Sequence, residues 1–243
     1  MVKLTIDGRI VQAEEGAMIL AVAQNNNIYI PTLCDNEAIT PYGACRLCLV
    51  EITTARGRER LVASCLYPVE EGVVVRTNSE RTADIRKTLI ELLLARCPDS
   101  EVIQDMARQL GVEETHFRLQ NGNNKCILCA SCARVCEKVV GVSAISLAKR
   151  GVDRELTTPF NVDYSEACIG CGSCAYICPT NAITMEDVGD WRVIKWPHNQ
   201  MEYKLKKCKI CGIDWAPAKQ IAHIAKISGT SLAEYDVCPD CRD

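Results

Sequence analysis

Aromatic side chains and histidine are scarce in this chain of 243 residues: two Phe, three Trp, seven Tyr and three His. So low an aromatic content fits a protein whose core is partly inorganic. No basic block occurs and the formal net charge is −3, so nothing points to nucleic-acid binding. No apolar run reaches the ~20 residues of a membrane-spanning helix. The opening MVKLTIDGRIVQA is polar and alternating, without the apolar segment of a signal peptide. There is no G-x-G-x-x-G, no P-loop and no flavin-site signature. The expected setting is a reducing cytoplasm, and nothing in the chain reads as a nucleotide or substrate site.

What is abundant is cysteine. Seventeen are present, an odd number, grouped with two-residue gaps, which is metal-ligand spacing rather than a disulfide framework. Two runs dominate, KCILCASCARVCEKVV and EACIGCGSCAYICPT. Each is C-x2-C-x2-C-x3-C: Cys126, Cys129, Cys132 and Cys136, then Cys168, Cys171, Cys174 and Cys178 with Pro179 directly after. This is the ligand pattern of a two-cluster ferredoxin, in which the fourth cysteine of a run serves the other cluster. Cys126, Cys129, Cys132 and Cys178 are therefore expected to hold one 4Fe–4S cluster. Cys168, Cys171, Cys174 and Cys136 are expected to hold the second. Small residues (Ala130, Ser131, Gly170, Gly172) keep the ligand loops uncrowded. Disulfides and zinc are the competing readings, and two runs that match one motif argue against both.

The N-terminal part reads as a β-grasp. Val2, Leu4 and Ile6 alternate, Asp7-Gly8 supplies a turn and Ile10-Val11 begins the return strand. AMILAVAQNNN has helical spacing. Strands are expected over Leu47–Ile52, over RLVASCLYPV ending in Cys65, and over GVVVRT. Cys34, Cys45, Cys48 and Cys65 are spaced C-x10-C-x2-C-x16-C, a longer first gap than the plant-type C-x4-C-x2-C…C but the same logic. They are expected to hold a 2Fe–2S cluster, with zinc as the alternative. Gly43 and Ala44 suit backbone N–H groups turned toward the cluster sulfurs. The charged RGRER at 56–60 reads as a solvated loop.

Taken together, these blocks resemble a known family over about residues 1–190. It comprises the large iron–sulfur subunit of respiratory complex I, the electron-transfer subunit of NAD-linked nickel–iron hydrogenases, and the N-terminal region of iron-only hydrogenases. The resemblance implies a ferredoxin module with an insert, here residues 137–167, and a role as a wire between an NAD(P)H-oxidising flavin and a second redox site. One motif of that family departs here. A cluster site H-x3-C-x2-C-x5-C usually lies between the two modules, whereas LLLARCPDSEVIQDMARQLGV has Cys97 alone, and no histidine precedes His116. That cluster is expected to be absent, and Cys97 to be structural. Helices are expected over Arg81–Ala95 and Val102–Leu110.

Beyond residue 190 the resemblance ends. DWRVIKWPHN reads as a strand anchored by Trp191 and Trp196. Two C-x2-C knuckles follow, Cys208/Cys211 and Cys238/Cys241, around a helix expected from Ala216 to Ile227 with Gly229 as its stop. Symmetric knuckles favour zinc; Pro239 and the redox company favour an iron–sulfur cluster. His116, His198 and His223 receive no role.

The expected architecture is α+β: a β-grasp 2Fe–2S domain (1–78), a helical linker (79–118), a two-cluster 4Fe–4S ferredoxin domain (119–190) and a C-terminal four-cysteine module (191–243). Three cluster motifs without a nucleotide or substrate motif predict an electron-transfer subunit of a multi-subunit NAD(P)-linked oxidoreductase. Its expected partners are an NAD(P)H-binding flavoprotein and a catalytic oxidoreductase subunit of hydrogenase, formate or aldehyde dehydrogenase, or electron-bifurcating type. Soluble ferredoxin is a further expected partner. The chain itself supplies no catalytic residue. Two other readings are a self-contained enzyme of hydrogenase type and a cluster-bearing scaffold that docks partners through its tail.

Overall fold

The structure is a computed structural model that describes residues 1–120, 124–158 and 165–242. The chain divides into two compact units, Met1–Cys129 and Ala130–Asp243.

In the first unit, β1 (Val2–Ile6) and β2 (Arg9–Ala13) form the expected hairpin. Asp7 and Gly8 both take positive φ in its turn. Helix α1 (Ile19–Asn25) follows and buries Ile19, Leu20, Val22 and Ala23. Then come β3 (Leu49–Thr53), β4 (Glu59–Ala63) and β5 (Val74–Arg76). The sheet order is β2-β1-β5-β3-β4, with β1 and β5 parallel. Alternation explains it: Val2, Leu4 and Ile6 face the same core as Val50, Ile52 and Val75, while the residues between face outward. Cys65 lies in a turn just past β4 rather than in the strand, and Glu59 and Arg60 of the expected loop belong to β4.

Helix α2 (Glu80–Arg96) is capped by Ser79, whose Oγ accepts from the Thr82 N–H at 3.2 Å, a cap worth about 1 kcal/mol. Helix α3 (Glu101–Gln109) packs against it. Ile90, Leu94, Ile103 and Ala107 of the two helices share a second core with Leu33, Leu47 and Cys97. The helices thus close over the cysteine-bearing loop of the β-grasp.

The second unit opens with α4 (Ser131–Val135), continued by a π-helical turn over Cys136–Val140. β6 (Ser146–Ala148) and β7 (Glu155–Thr157) form a small antiparallel pair within the insert, whose residues 159–164 lie outside the described residues. After α5 (Ser173–Tyr176) the chain forms an antiparallel sheet in the order β11-β10-β9-β8. Its strands are β8 (Thr184–Val188), β9 (Trp191–Trp196), β10 (Asn199–Lys207) and β11 (Asp214–Pro217). The sequence reading anticipated only β9. Helix α6 (Ala218–Ser228) stops at Gly229, which takes φ +69. Among the described residues no helix is long and apolar enough to cross a membrane.

Candidate iron–sulfur and metal centres

In the first unit the loop of residues 33–48 and the turn after β4 bring Cys34, Cys45, Cys48 and Cys65 together, all buried. They lie in two pairs. The Cys45 N–H donates to Cys34 Sγ at 3.4 Å, and Cys48 Sγ lies 3.4 Å from Cys65 Sγ. Within each pair the two cysteines shift each other's acidity in opposite directions. Hydrogen bonding from Cys34 pulls Cys45 down to about 5, and Cys65 does the same to Cys48, to about 7. Cys34 and Cys65 are pushed up. The N–H groups of Ala44 and Cys45 act on Cys34; of the two residues expected in that role, Gly43 and Ala44, only Ala44 takes it. Gly43 has a different task. At φ +68 it lies against Leu66, where a Cβ would be 2.5 Å from Leu66 Cδ1. Two thiolate pairs facing each other are the donor set of a two-iron rhomb, two sulfurs to each iron.

The second unit gathers Cys136, Cys168, Cys171 and Cys174 around one enclosed cavity, closed by Val142, Ala144, Ile145, Ile194 and Trp196. This is the crossed ligand set that the motif predicts, with Cys136 contributed by the first run. Ala144 N–H donates to Cys136 Sγ at 3.2 Å. Burial pushes Cys174 up to about 12, aided by the neighbouring Cys168 and Cys171 and opposed by the Trp196 side chain. A thiol that resists ionisation when buried among other sulfurs is stabilised as a thiolate by metal.

The loop carrying Cys171 is tightly roofed. Gly170 and Gly172 take φ +71 and +77, and a Cβ on Gly170 would stand 2.6 Å from the Tyr203 ring. On Gly172 it would meet Met185 Sδ at 2.1 Å. Leu128 and Ala130, at the matching positions of the first run, also take positive φ. A left-handed non-glycine residue costs roughly 1–2 kcal/mol, so the first run adopts the same turns at a cost that the glycines of the second avoid. Trp196 comes from the expected strand β9, whereas Met185 and Tyr203 come from β8 and β10, which the sequence reading missed; alternation of Met201, Tyr203 and Leu205 was the available signal of β10. The other predicted set is divided by the unit boundary: Cys126 and Cys129 belong to the first unit, Cys132 and Cys178 to the second.

The tail cysteines differ in kind. Sγ atoms of Cys208, Cys211, Cys238 and Cys241 all lie within 4.8 Å of one another, with Cys211 and Cys238 at 3.7 Å. Among the described residues no other cysteine set is so tight. A tetrahedron with metal–sulfur bonds of roughly 2.3 Å has edges of about 3.8 Å, so these donors match one ion. A cubane interposes four iron atoms and spreads its thiolates farther. Cys208 accepts from the N–H groups of Cys238 (3.3 Å) and Ile210 (3.4 Å), which lower its pKa to about 6, the Cys238 N–H most. Cys241, donating to Cys238, is pushed up to about 12. Asp236 pairs with Lys206 and Lys209, and Arg242 stacks on Tyr235 at 4.6 Å. The Asp236 pairs run from the second knuckle to lysines beside the first.

All 17 cysteines are free of disulfides. Residues 1–80 match the 2Fe-2S iron-sulfur cluster binding domain and residues 162–184 the 4Fe-4S binding domain. A subunit of the NADH-quinone oxidoreductase of Rhizobium meliloti (strain 1021) is 33% identical, over 75% of this chain and 24% of its own length. Subunit HndD of the NADP-reducing hydrogenase from Solidesulfovibrio fructosivorans is 32% identical, over 80% of this chain and 38% of its own. A crystal structure of NAD+-reducing [NiFe]-hydrogenase in the H2-reduced state superposes with a TM-score of 0.63 at 27% identity. That match covers 74% of this chain and 85% of the hydrogenase chain. The chain belongs to this family of iron–sulfur subunits. It spans only 24% and 38% of the two curated relatives named here.

The stretch between the modules carries Cys97 and, before His116, no histidine. Cys97 is fully buried at the C-terminal end of α2, in the apolar core with Ile90, Leu94 and Ile103. His116 is exposed and pairs with Glu91 at 3.0 Å, and His223 Nε2 meets the Val140 carbonyl at 3.1 Å.

Proposed function

We propose that the chain is an electron-transfer subunit of an NAD(P)-linked oxidoreductase working in the cytoplasm. The observation that carries this is a pair of four-cysteine sites, one buried in the first unit and one lining an enclosed cavity in the second, on a chain without a nucleotide fingerprint. Cys34, Cys45, Cys48 and Cys65 would hold a 2Fe–2S cluster. Cys136, Cys168, Cys171 and Cys174 would hold one 4Fe–4S cluster, and Cys126, Cys129, Cys132 and Cys178 the other. Each cluster, when bound, takes up and gives back one electron at a time. The chain's own residues supply the thiolates, direct N–H groups at their sulfurs and exclude water from them.

The relatives named above belong by their names to NADH- and NADP-linked complexes, which supports a flavoprotein as electron donor, because hydride must be split into single electrons first. A catalytic oxidoreductase subunit or a soluble ferredoxin lies at the other end, and bifurcation is a property such a donor would confer. The domains proposed are 1–78, 79–118, 119–190 and 191–243. Sulfur spacing favours a single tetrahedral ion at Cys208, Cys211, Cys238 and Cys241, zinc or one iron, over a cubane.

The test is reduction by NADH or NADPH, followed by bleaching of the visible cluster absorption. The expected result is no bleaching of the isolated full chain and full bleaching once the cognate flavoprotein is added. Reduction of the isolated chain by NADH alone would refute this function.

A further inference from the structure

Arg86 is a buried cation that the cluster ligands alone do not explain. It lies in the middle of α2 and is only 3% exposed. Its Nε donates to the Leu47 carbonyl at 3.0 Å and its Nη2 to the Leu49 carbonyl at 2.6 Å. Those two carbonyls flank Cys48, so the guanidinium sits against the backbone on either side of a ligand. Arg76 on the neighbouring sheet pairs with Glu51 and Glu59. Arg86 makes no such ion pair among the described residues. Its strongest negative neighbour is Cys48, ahead of Tyr29 and Asp7. The Asp7 carboxylate is already engaged by the N–H and hydroxyl of Thr77, at 2.8 and 2.6 Å.

A buried cation without a counter-ion is expensive, and two neutral carbonyls solvate it without cancelling its charge. The negative charge within reach is the thiolate site itself. We propose that Arg86 is the internal counter-charge of the 2Fe–2S centre and raises its reduction potential. Adding one electron makes the centre one unit more negative, and a fixed cation beside Cys48 favours that form. Low dielectric around Arg86 makes the coupling stronger than a surface lysine would give. The inference rests on the 2Fe–2S reading of Cys34, Cys45, Cys48 and Cys65.

The test is an EPR-monitored redox titration of the full chain, comparing wild type, Arg86→Gln and Arg86→Lys. At the wild-type midpoint, Arg86→Gln is expected to show at least a tenfold lower ratio of reduced to oxidised 2Fe–2S centre, 59 mV for a one-electron couple. Arg86→Lys, which keeps the charge but not the paired hydrogen bonds, should stay within threefold. An unchanged midpoint in Arg86→Gln with its signal intact overturns the proposal. If Arg86→Gln fails to assemble the centre, Arg86→Lys decides. Assembly with a near-wild-type midpoint supports a role for the charge. Failure of both makes Arg86 a structural tie and overturns the proposal. Absence of any 2Fe–2S signal in wild type would instead sink the underlying cluster reading.

Discussion

Cys171→Ser removes about four iron atoms per chain and leaves the 2Fe–2S signal in place. The loss follows from how the loop is built. Cys171 stands between Gly170 and Gly172, both left-handed and packed under Tyr203 and Met185, so the loop fixes where its donor atom sits; the nearest substitute is the Ser173 hydroxyl, 3.4 Å from Cys171 Sγ. A serine hydroxyl is a poor substitute, because it gives up its proton far less readily than a thiol and is a harder donor. Cys136, Cys168 and Cys174 would keep three donors around a cavity that needs four. Survival of the 2Fe–2S signal follows from the separate core of the first unit, where Val2, Leu4, Ile6, Val50 and Val75 pack without help from this loop. Iron analysis with EPR checks both halves. Cys97→Ser is the matched control. It should leave iron unchanged and cost about 1–3 kcal/mol in thermal unfolding, because it buries a hydroxyl among Ile90, Leu94 and Ile103.

Cys238→Ser is expected to release the tail ion and unfold residues 208–242 while the iron–sulfur clusters remain. Little else holds this segment. Its buried residues are few, Cys208, Ala216, Pro217, Ile221, Ala225 and Cys238, and its second knuckle consists of short 3-10 turns. The surface pairs around Asp236 and the Arg242 stack add little in water. Structural zinc contributes roughly 10–16 kcal/mol of apparent binding energy, as large as the whole stability of a typical domain. Limited proteolysis should therefore cut wild type slowly and the variant rapidly between Cys208 and Cys241. Equal protection in the two proteins would show that the ion is not what holds the tail.

The cysteine groups that the fold brings together were legible because metal-ligand spacing is written in the sequence. Two-residue gaps announced both 4Fe–4S runs, and the pattern named Cys136 as the partner of Cys168, Cys171 and Cys174. The hairpin at Asp7-Gly8, the helix before Asn26 and the stop at Gly229 were readable from turn and cap chemistry. What escaped was tertiary. β8 is exposed along its whole length, so its residues lacked the apolar alternation that marks a half-buried strand. In β10 the alternation of Met201, Tyr203 and Leu205 with polar residues was a readable strand signal, but only the fold places Tyr203 against Gly170 of the cysteine loop. Arg86 was invisible for another reason. An arginine in a helix rich in charge reads as a solvated face, and only the fold places the Leu47 and Leu49 carbonyls beside it.

The central claim, a chain built to carry single electrons, is tested most directly by counting iron, acid-labile sulfide and zinc in anaerobically purified full-length protein. The predicted result is about 10 iron and 10 sulfide per chain from one 2Fe–2S and two 4Fe–4S clusters, with one further tetrahedral ion, zinc or an eleventh iron. Twelve or more iron without zinc would contradict the single-ion tail. Fewer than about four iron, with several zinc ions in their place, would contradict the electron-transfer function itself.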